Sequence, residues 1–519
     1  MNTQSRVTLL FFLLAGVTPC ACAENADTPE TEPTESGSLE IATREGDVQG
    51  TLIGTTRTFL GIPYVAPPVG ALRWTHPRPH EPWATPLAAT TFGARCPQTD
   101  ITGQPGGDED CLTLNVWAPE RLAAPAPVMV NFHGGAFTRN TNSIPGRDGQ
   151  LLSEATGAII VTVNYRLGPL GFFADPALSA EDPTQPSSGN YGFEDQRAAL
   201  EWVQSNIVAF GGDAGNVALF GESAGAASSS LHMLSPLAMG LFHRAILESG
   251  AYEDTLIPVA ASQAQSVSLI AAAGCAAEPN QVACLRSKSA VEVLNAEPGD
   301  ASWGPVVDGW NIPDCASAPI DAGCIASPVP VALGTNLNES EFFFATGLSA
   351  PANDVDYLSM MNGMFAGQGA AIVAEYPSAS FASPRMAAAD VLTDSSYVCP
   401  TRRRARALVA AGLPVFLYSF NHSPTSPMFP NGGAFHAAEV AFVFGTSLWG
   451  IQLNAPEREL SRAMMDYWGR MAANGNPNGE GALEWPAFDS TDANIIFDLT
   501  LSTTTGWKDD RCNFWDAML

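Results

Sequence analysis

The residues best suited to chemistry surround Ser223, in the pentapeptide Gly221-Glu222-Ser223-Ala224-Gly225. This G-x-S-x-G pattern follows an apolar run at 217–220 and precedes small residues that a helix accepts. That order of strand, sharp turn and helix is what a nucleophile elbow requires. The two glycines let the backbone turn without Cβ clashes. A bare G-x-S-x-G often occurs by chance, but here the strand, the helix and Phe210-Gly211-Gly212 are in register. The pattern therefore predicts a nucleophilic serine.

A serine hydroxyl is a weak nucleophile and needs an adjacent base, itself oriented by an acid. Chains with such an elbow place the acid and then the histidine after the serine. Late in this chain, the candidates for the base are His422 and His436. His422 ends an apolar run, whereas His436 lies in a glycine-rich segment, 431–445, that leads into a predicted helix. We therefore predict His436 as the base. We expect the other histidines to be structural or exposed: His76, His80, His133, His232 and His243.

Candidate acids follow an apolar segment that ends in Gly334-Thr335-Asn336. Glu339 and Glu341 come directly after it, at the carboxyl end of the predicted strand. Functional loops gather at that end of an open α/β sheet, so either carboxylate could orient the histidine. Glu439, close to His436, is expected to make a local structural hydrogen bond.

A second loop has the composition of an oxyanion hole. Residues 132–136, FHGGA, follow the apolar strand predicted at 128–130. Backbone N–H groups there could bind the charge that develops on an ester carbonyl oxygen, and each such donor typically contributes about 10²- to 10³-fold in rate.

The elements that must position these residues are short apolar runs rich in β-branched residues, which are typical of buried parallel strands. We predict strands in VMVNF, AIIVTVNY, NVALFGE, PVPVALGTN and PVFLYSF. Residues 194–210 have acidic residues first and then helical apolar spacing, which predicts a helix. The run Arg402-Arg403-Arg404 is expected to be a solvated face or to form internal salt bridges.

Blocks along the whole chain resemble the type-B carboxylesterases, a family that includes the cholinesterases. The blocks are FLGIPYVAPPVGALRW, EDCLTLNVWAP, NFHGGAF, VNYRLGPLGFF, residues 189–216, HRAILESGA, PVVDG at 305–309 and the terminal RCNFWDAML. The resemblance implies one α/β-hydrolase domain over residues 39–519, with a mostly parallel sheet flanked by helices. It implies hydrolysis of carboxylic esters, with a small-molecule ester as the partner.

The resemblance also implies roles for particular residues. It aligns the acid with Glu339, although Ser340 replaces the usual glycine, and it leaves Glu341 as a surface residue. The oxyanion donors would be the amides of Gly135, Ala136 and Ala224, where Ala136 stands in place of a third glycine. Ser223 would form an acyl-enzyme, and no metal or organic cofactor is required.

Cysteine usage favours an oxidising compartment, because eight cysteines remain once Cys20 and Cys22 are set aside. The resemblance implies three disulfides, and the remaining two cysteines pair by elimination. The pairs are Cys96 with Cys111, Cys275 with Cys284, Cys399 with Cys512, and Cys315 with Cys324. A metal site is disfavoured because the chain has no C-x-x-C and its histidines are scattered.

The N-terminus reads as a signal peptide over residues 1–23. Arg6 precedes an apolar core at 7–17, and Ala21-Cys22-Ala23 then predicts cleavage after Ala23. Residues 24–38 are rich in Pro, Glu, Thr and Ser, which predicts a disordered tether. We expect a secreted or periplasmic protein, with a lipid anchor on Cys20 or Cys22 as the alternative.

Bulk composition limits the classes of partner. The net charge is −29 and the chain has only two lysines, which argues against nucleic acid and against anionic lipid. The 46 % hydrophobic content is that of a globular protein. No run of 18 apolar residues predicts a membrane span. Because no oligomerisation helix follows Cys512, we expect a monomer.

Two segments indicate which esters the protein could accept as substrates. The 97–110 loop contains no aromatic residue to bind a quaternary ammonium, so a choline-ester specialist is disfavoured. Residues 298–303 lack the phenylalanines that narrow the acyl pocket of cholinesterases, which predicts a wider pocket between Gly299 and Ala301. Trp303 is either a wall of that pocket or core packing. One alternative from another class is an adhesion protein that has lost the serine, and the intact Ser223, Glu339, His436 and oxyanion loop argue against it. The other is a metal-assisted hydrolase, for which the sequence has no ligand cluster with suitable spacing.

Overall fold

The structure is a computed structural model that describes residues 37–250, 256–299, 301–317 and 322–518. The predicted signal peptide, the tether up to residue 36 and the candidate anchors Cys20 and Cys22 lie outside the described residues. Asp300 of the predicted acyl pocket lies outside them as well. Within the described ranges, no helix is long and apolar enough to cross a membrane.

An eleven-stranded sheet organises the described part of the chain. Its strands in chain order are β1 (Thr51–Ile53), β2 (Thr56–Pro63), β3 (Thr113–Pro119), β4 (Ala126–Phe132), β5 (Ile159–Val163), β6 (Gly212–Glu222), β7 (Arg244–Glu248), β8 (Val331–Asn336), β9 (Val415–Phe420), β10 (Asn494–Phe497) and β11 (Ser502–Thr504). The spatial order is β11-β10-β9-β8-β7-β6-β4-β5-β3-β2-β1. Strands β4 to β10 pair in parallel, and the strands at both edges are antiparallel. Smaller strand pieces are Glu40–Ala42, Asp47–Gln49, Leu87–Ala88, Gln98–Thr99, Pro105–Gly106, Ile257–Pro258 and Val306–Val307.

Helices connect the strands. They are α1 (Gln150–Thr156), α2 (Gly168–Phe172), α3 (Pro176–Ser179), α4 (Tyr191–Asn206), α5 (Ala224–Leu234), α6 (Val259–Ala272), α7 (Gln281–Ser287), α8 (Ala290–Asn295), α9 (Glu341–Thr346), α10 (Asp354–Met364), α11 (Gly369–Glu375), α12 (Pro384–Thr393), α13 (Cys399–Ala410), α14 (Val440–Val443), α15 (Ala455–Asn474) and α16 (Asp509–Asp516). Shorter helical turns are Gly70–Leu72, Pro145–Arg147, Ile207–Phe210, Pro236–Ala238, Asp314–Ser317, Ala322–Cys324, Ser378–Ser380 and Asp394–Val398.

The predicted strands are all present, as β4, β5, β6, β8 and β9. β6 begins earlier than predicted, at Gly212, because a register shift lets the chain pair with β4 on both sides of an irregularity between Gly212 and Val217. The predicted helix 194–210 begins three residues earlier, at Tyr191, and its last turn is the tighter helix Ile207–Phe210.

Two hydrophobic layers cover the two faces of the sheet, because side chains alternate along a strand. On β4, Val128 and Val130 pack with the layer that contains Leu200 and Val203 of α4. Met129, between those two valines, packs on the other face with the layer that contains Trp468 of α15. The sheet is therefore held rigidly from both sides, and the loops at its carboxyl edge start from fixed points.

The structure contains four disulfides, joining the pairs expected above: Cys96–Cys111, Cys275–Cys284, Cys315–Cys324 and Cys399–Cys512. The last bridge spans a sequence separation of 113 residues and ties α16 to the start of α13. In the chain-entropy model, closing a loop of that size contributes about 4 to 5 kcal/mol.

Candidate active site

Ser223 occupies a strained turn between β6 and α5. Its φ is 58° and its ψ is −125°, a left-handed backbone that non-glycine residues rarely adopt. The flanking glycines are needed for close approach. A Cβ on Gly221 would lie 2.5 Å from the carbonyl oxygen of Phe132, and one on Gly225 would lie 1.9 Å from the same atom. The strained backbone conformation is therefore at Ser223, and the flanking glycines leave room for the Phe132 carbonyl oxygen. This arrangement has the geometry of the predicted nucleophile elbow.

Glu339 and His436 are in direct contact. Oε2 of Glu339 lies 2.7 Å from Nδ1 of His436, and Oε1 of Glu339 accepts from the Asn336 N–H at 2.8 Å. Glu339 follows β8 by three residues, and its side chain is fully buried. The contact fixes the orientation of the imidazole.

The other ring nitrogen of His436 faces Glu222. Nε2 lies 3.0 Å from Oε1 of Glu222, within ion-pair distance, although the direction of approach does not meet hydrogen-bond geometry. Among the described residues, Ser223 Oγ makes no hydrogen bond to His436. Such bonds are often long in a resting site and tighten in the substrate complex.

The loop after β4 packs directly against the elbow. A Cβ on Gly134 would lie 2.6 Å from the Glu222 carbonyl oxygen and 3.0 Å from Cβ of Ser223. Gly135 has a φ of 115°, and Ala136 follows with a φ of 53°. The amides of Gly135, Ala136 and Ala224 have no acceptor within the described ranges, so they remain able to donate.

His133, at the start of this loop, packs against Tyr165. Its ring stacks on Tyr165 at 4.4 Å, and the Tyr165 hydroxyl donates to the His133 carbonyl oxygen at 2.6 Å. Burial, together with the smaller effect of the nearby Arg147 charge, lowers the pKa of His133 to about 3. The imidazole is therefore neutral at working pH, and its role is structural, as expected.

Burial and the neighbouring carboxylates shift the pKa of His436 in opposite directions. Burial lowers the pKa of His436, but the carboxylates of Glu222 and Glu339 raise it by more, so the pKa lies well above its usual range. Burial raises the pKa of Glu248 to about 8, and Glu222 raises it as well. The pKa of Glu439 is also raised, by burial and then by neighbouring carboxylates. We call Glu222, Glu248, Glu339 and Glu439 the carboxylate cluster.

Aromatic side chains surround His436. The ring centroids of Phe342, Phe343 and Tyr397 lie 5.9, 5.3 and 5.0 Å from that of His436. These three aromatic residues were not predicted from the sequence. Phe342 and Phe343 could have been found, because they follow Glu339 by three and four residues on one helical turn, whereas nothing local marks Tyr397.

Several other predicted residues take defined places. Glu341 is not a surface residue: its side chain is 8 % exposed and pairs with Arg385 at 2.6 Å, because α9 turns it against α12. His422 follows β9 and pairs with Glu457 at 3.0 Å. Trp303 is buried core packing. Glu439 accepts a hydrogen bond from the Asn336 side chain, as expected.

The remaining expectations concern cations and metals. Arg402 and Arg404 of the basic run are buried, so this run is not a solvated face, and Arg402 forms internal salt bridges. Within the described ranges, no group of three or more His, Cys, Asp or Glu residues could hold a metal ion.

A largely parallel sheet with an elbow serine at its carboxyl edge defines an α/β-hydrolase. The model of the family described as "Carboxylesterase family" matches residues 37–515. The chain is 34 % identical to a cholinesterase of Mus musculus, over 99 % of this chain and 91 % of that protein. It is also 34 % identical to a medium-chain fatty acyl-CoA hydrolase precursor of Anas platyrhynchos, over 99 % of this chain and 97 % of that protein. The chain belongs to the carboxylesterase family and is a carboxylic ester hydrolase.

Proposed function

We propose that the protein hydrolyses carboxylic esters through an acyl-enzyme on Ser223, with His436 as the base and Glu339 as the orienting acid. The observation that carries this proposal is the 2.7 Å contact between Nδ1 of His436 and Oε2 of Glu339, beside the strained elbow of Ser223. The chain order of serine, acid and histidine fits the same assignment, and Ser223 and Glu339 follow the ends of β6 and β8.

The reaction proceeds in two halves. Ser223 Oγ attacks the ester carbonyl carbon as Nε2 of His436 takes the hydroxyl proton, and the carbonyl oxygen becomes an oxyanion that accepts from the amides of Gly135, Ala136 and Ala224. The imidazolium then gives its proton to the leaving alcohol. Water attacks the acyl-enzyme by the same route, which releases the acid and restores the serine.

The substrate range we propose is broad, from small to bulky acyl groups. Gly299, on the proposed acyl-pocket side, is exposed, and a Cβ added to it would meet no atom within 4 Å, so a larger residue would fit there. The 97–110 loop offers no aromatic platform for a quaternary ammonium. Choline esters are therefore not the proposed substrates.

The first test compares the wild-type protein with Ser223→Ala on p-nitrophenyl acetate, butyrate, octanoate and laurate. Loss of the nucleophile should lower kcat/KM by about 10⁵-fold. An organophosphate should label the wild-type serine, whereas a chelator should leave turnover unchanged. If the variant keeps most of its turnover, Ser223 is not the nucleophile.

We also propose that the protein is exported and monomeric. Four disulfides support an oxidising compartment. Mass spectrometry of the mature chain distinguishes the two forms of export, since cleavage after Ala23 leaves Glu24 first and a lipid anchor adds acyl mass at Cys20 or Cys22. Light scattering reports the oligomeric state.

A further inference from the structure

A buried arginine, Arg147, lies beside the candidate active site without a role in the mechanism above. It ends the helical turn Pro145–Arg147, and its side chain is 3 % exposed. Its terminal nitrogen lies 3.7 Å from Oε2 of Glu222, which is ion-pair distance but too long for a hydrogen bond. A guanidinium buried this deeply is unfavourable unless a carboxylate compensates its charge.

Glu222 bridges Arg147 and His436. Its Oε2 faces the arginine, and its Oε1 lies 3.0 Å from Nε2 of His436, the nitrogen that would take the serine proton. The carboxylate cannot swing away towards the oxyanion loop, because Gly134 packs so closely that even an added Cβ would lie 2.8 Å from Oε2. The Glu222 side chain therefore stands between the arginine and the histidine, and the oxyanion loop closes one side of it.

The other titratable groups around Arg147 come from four segments. They are Glu248 at the end of β7, Glu439 after His436, Tyr165 after β5 and His133 on the oxyanion loop. Burial raises the pKa of Glu248 to about 8 and raises the pKa values of Glu439 and Tyr165, while it lowers that of His133. Near neutral pH these four groups are predominantly uncharged. Glu222 is then the carboxylate left to balance Arg147.

We propose that Arg147 is a positioning residue for ester hydrolysis, one that holds the Glu222 carboxylate at Nε2 of His436. The inference rests on the proposed roles of Ser223 and His436. When the serine gives up its proton, the imidazolium that forms gains a second carboxylate neighbour besides Glu339. Without Arg147, Oε2 of Glu222 would lose its partner, the carboxylate would turn from Nε2 of His436, and that stabilisation would be lost.

The test measures the pH dependence of kcat/KM in Arg147→Gln, Arg147→Lys, Glu222→Gln and the double variant R147Q/E222Q. A charged Glu222 favours the protonated histidine, so its neutralisation lowers the pH at which the histidine becomes a base. We expect R147Q to move the acidic limb of the profile down by about one pH unit. E222Q should lower the pH of the acidic limb by the same amount, and the double variant should lower it no further than either single variant. R147K should keep the limb near its wild-type position.

Two outcomes would overturn the proposal. A limb that moves to higher pH in R147Q would mean that Glu222 stays at Nε2 without Arg147 and that the arginine charge acted directly on the histidine. An unmoved limb would leave Arg147 with a structural role only. The matched control is Arg57→Gln, which removes another buried arginine, bonded at 2.7 Å to the Phe210 carbonyl oxygen far from the site. It should lower stability without moving the limb.

Ser223→Ala separates this proposal from the proposed function. If S223A keeps its turnover, the proposed function fails first and the limb belongs to another reaction. If S223A is inactive while the R147Q limb stays in place, only the role of Arg147 fails. Organophosphate titration of each variant counts competent sites, so misfolded protein does not distort the profile.

Discussion

Two charge clusters in this molecule, one partly exposed and one buried, follow different rules. In the C-terminal cluster, Arg402 and Arg406 both bond Asp492, and Arg402 also bonds Asp509, so two cations meet two carboxylates. The carboxylate cluster of the candidate site holds four carboxylates against two cations, His436 and Arg147. The first cluster is balanced by direct contacts. The second balances only when some of its carboxylates carry a proton.

The difference shows what each cluster is suited to do. A balanced set of ion pairs holds one geometry. Here it ties α13 to the residues just before β10 and to the start of α16. An unbalanced set shifts the proton affinities of its members, which is common where acid–base chemistry takes place. The following changes test whether the two clusters can be separated into a structural one and a chemical one.

The largest contrast after loss of the serine concerns the two candidate acids. Glu339→Gln should lower kcat/KM by about 10⁴-fold, because the amide no longer holds the imidazole in the correct tautomer. Glu341→Gln is the matched control, since this carboxylate pairs with Arg385 and not with His436. Steady-state kinetics on p-nitrophenyl butyrate measure both. Equal losses in the two variants would contradict the assignment of Glu339.

The C-terminal cluster should respond through stability. Arg402→Met removes a buried cation from Asp492 and Asp509, and breaking such a pair should lower the free energy of unfolding by about 3 kcal/mol. Its neighbour Arg403 is more exposed and pairs with Asp516 at 3.0 Å, so Arg403→Met should cost less than about 1 kcal/mol. Urea unfolding measures both. A large fall in kcat/KM of folded R402M would mean that the two clusters are coupled.

The sequence predicted the site better where the signal is local. Ser223, the Gly134-Gly135 loop and the strands came from motifs and apolar runs, because a turn or a buried strand depends on neighbours in the chain. The choice of Glu339 over Glu341 needed the family resemblance, since both follow the same strand. Glu341 was predicted wrongly as exposed, because its burial depends on Arg385, which lies 44 positions further along.

Contacts across the fold could not be predicted where neither a motif nor the family resemblance marks both partners. Arg147 is separated by 75 positions from Glu222, and no periodicity or motif links them. The contact between Nε2 of His436 and Glu222 has the same origin, since it depends on how β6 and the histidine segment meet. The helix predicted from Glu194 begins at Tyr191, and its acidic residues form buried pairs that the sequence pattern does not show, such as Asp195 with Arg166 at 2.7 Å.

The acidic limb of activity tests the charge imbalance directly. The pKa of His436 lies above its usual value, so the neutral base becomes available only at higher pH, and activity is lost as pH falls through the raised value. We expect the limb of kcat/KM above pH about 6.5. The imidazolium also stabilises the fold below that point, and this contribution is lost as pH rises. A limb below pH about 6.5 would show that the carboxylates do not act on His436 as described.

The smallest expected effect concerns the acyl pocket. If the acyl pocket lies on the Gly299 side as proposed, Gly299→Phe should narrow it and lower kcat/KM for octanoate relative to acetate by about 10-fold. Gly363→Phe in α10 is the control, because a Cβ at Gly363 also meets no atom within 4 Å. The ratio of the two rates is the measurement. An unchanged ratio in G299F would place the acyl pocket elsewhere.

The Cys399–Cys512 bridge makes a covalent ring of the segment that carries the histidine. Of the three proposed catalytic residues, His436 lies inside this ring, and Ser223 and Glu339 lie on the chain outside it. A protease that cuts the ring once leaves two fragments still joined through sulfur. Such a nicked molecule keeps its histidine on the same covalent framework as its serine, and a reductant is needed before the fragments can separate.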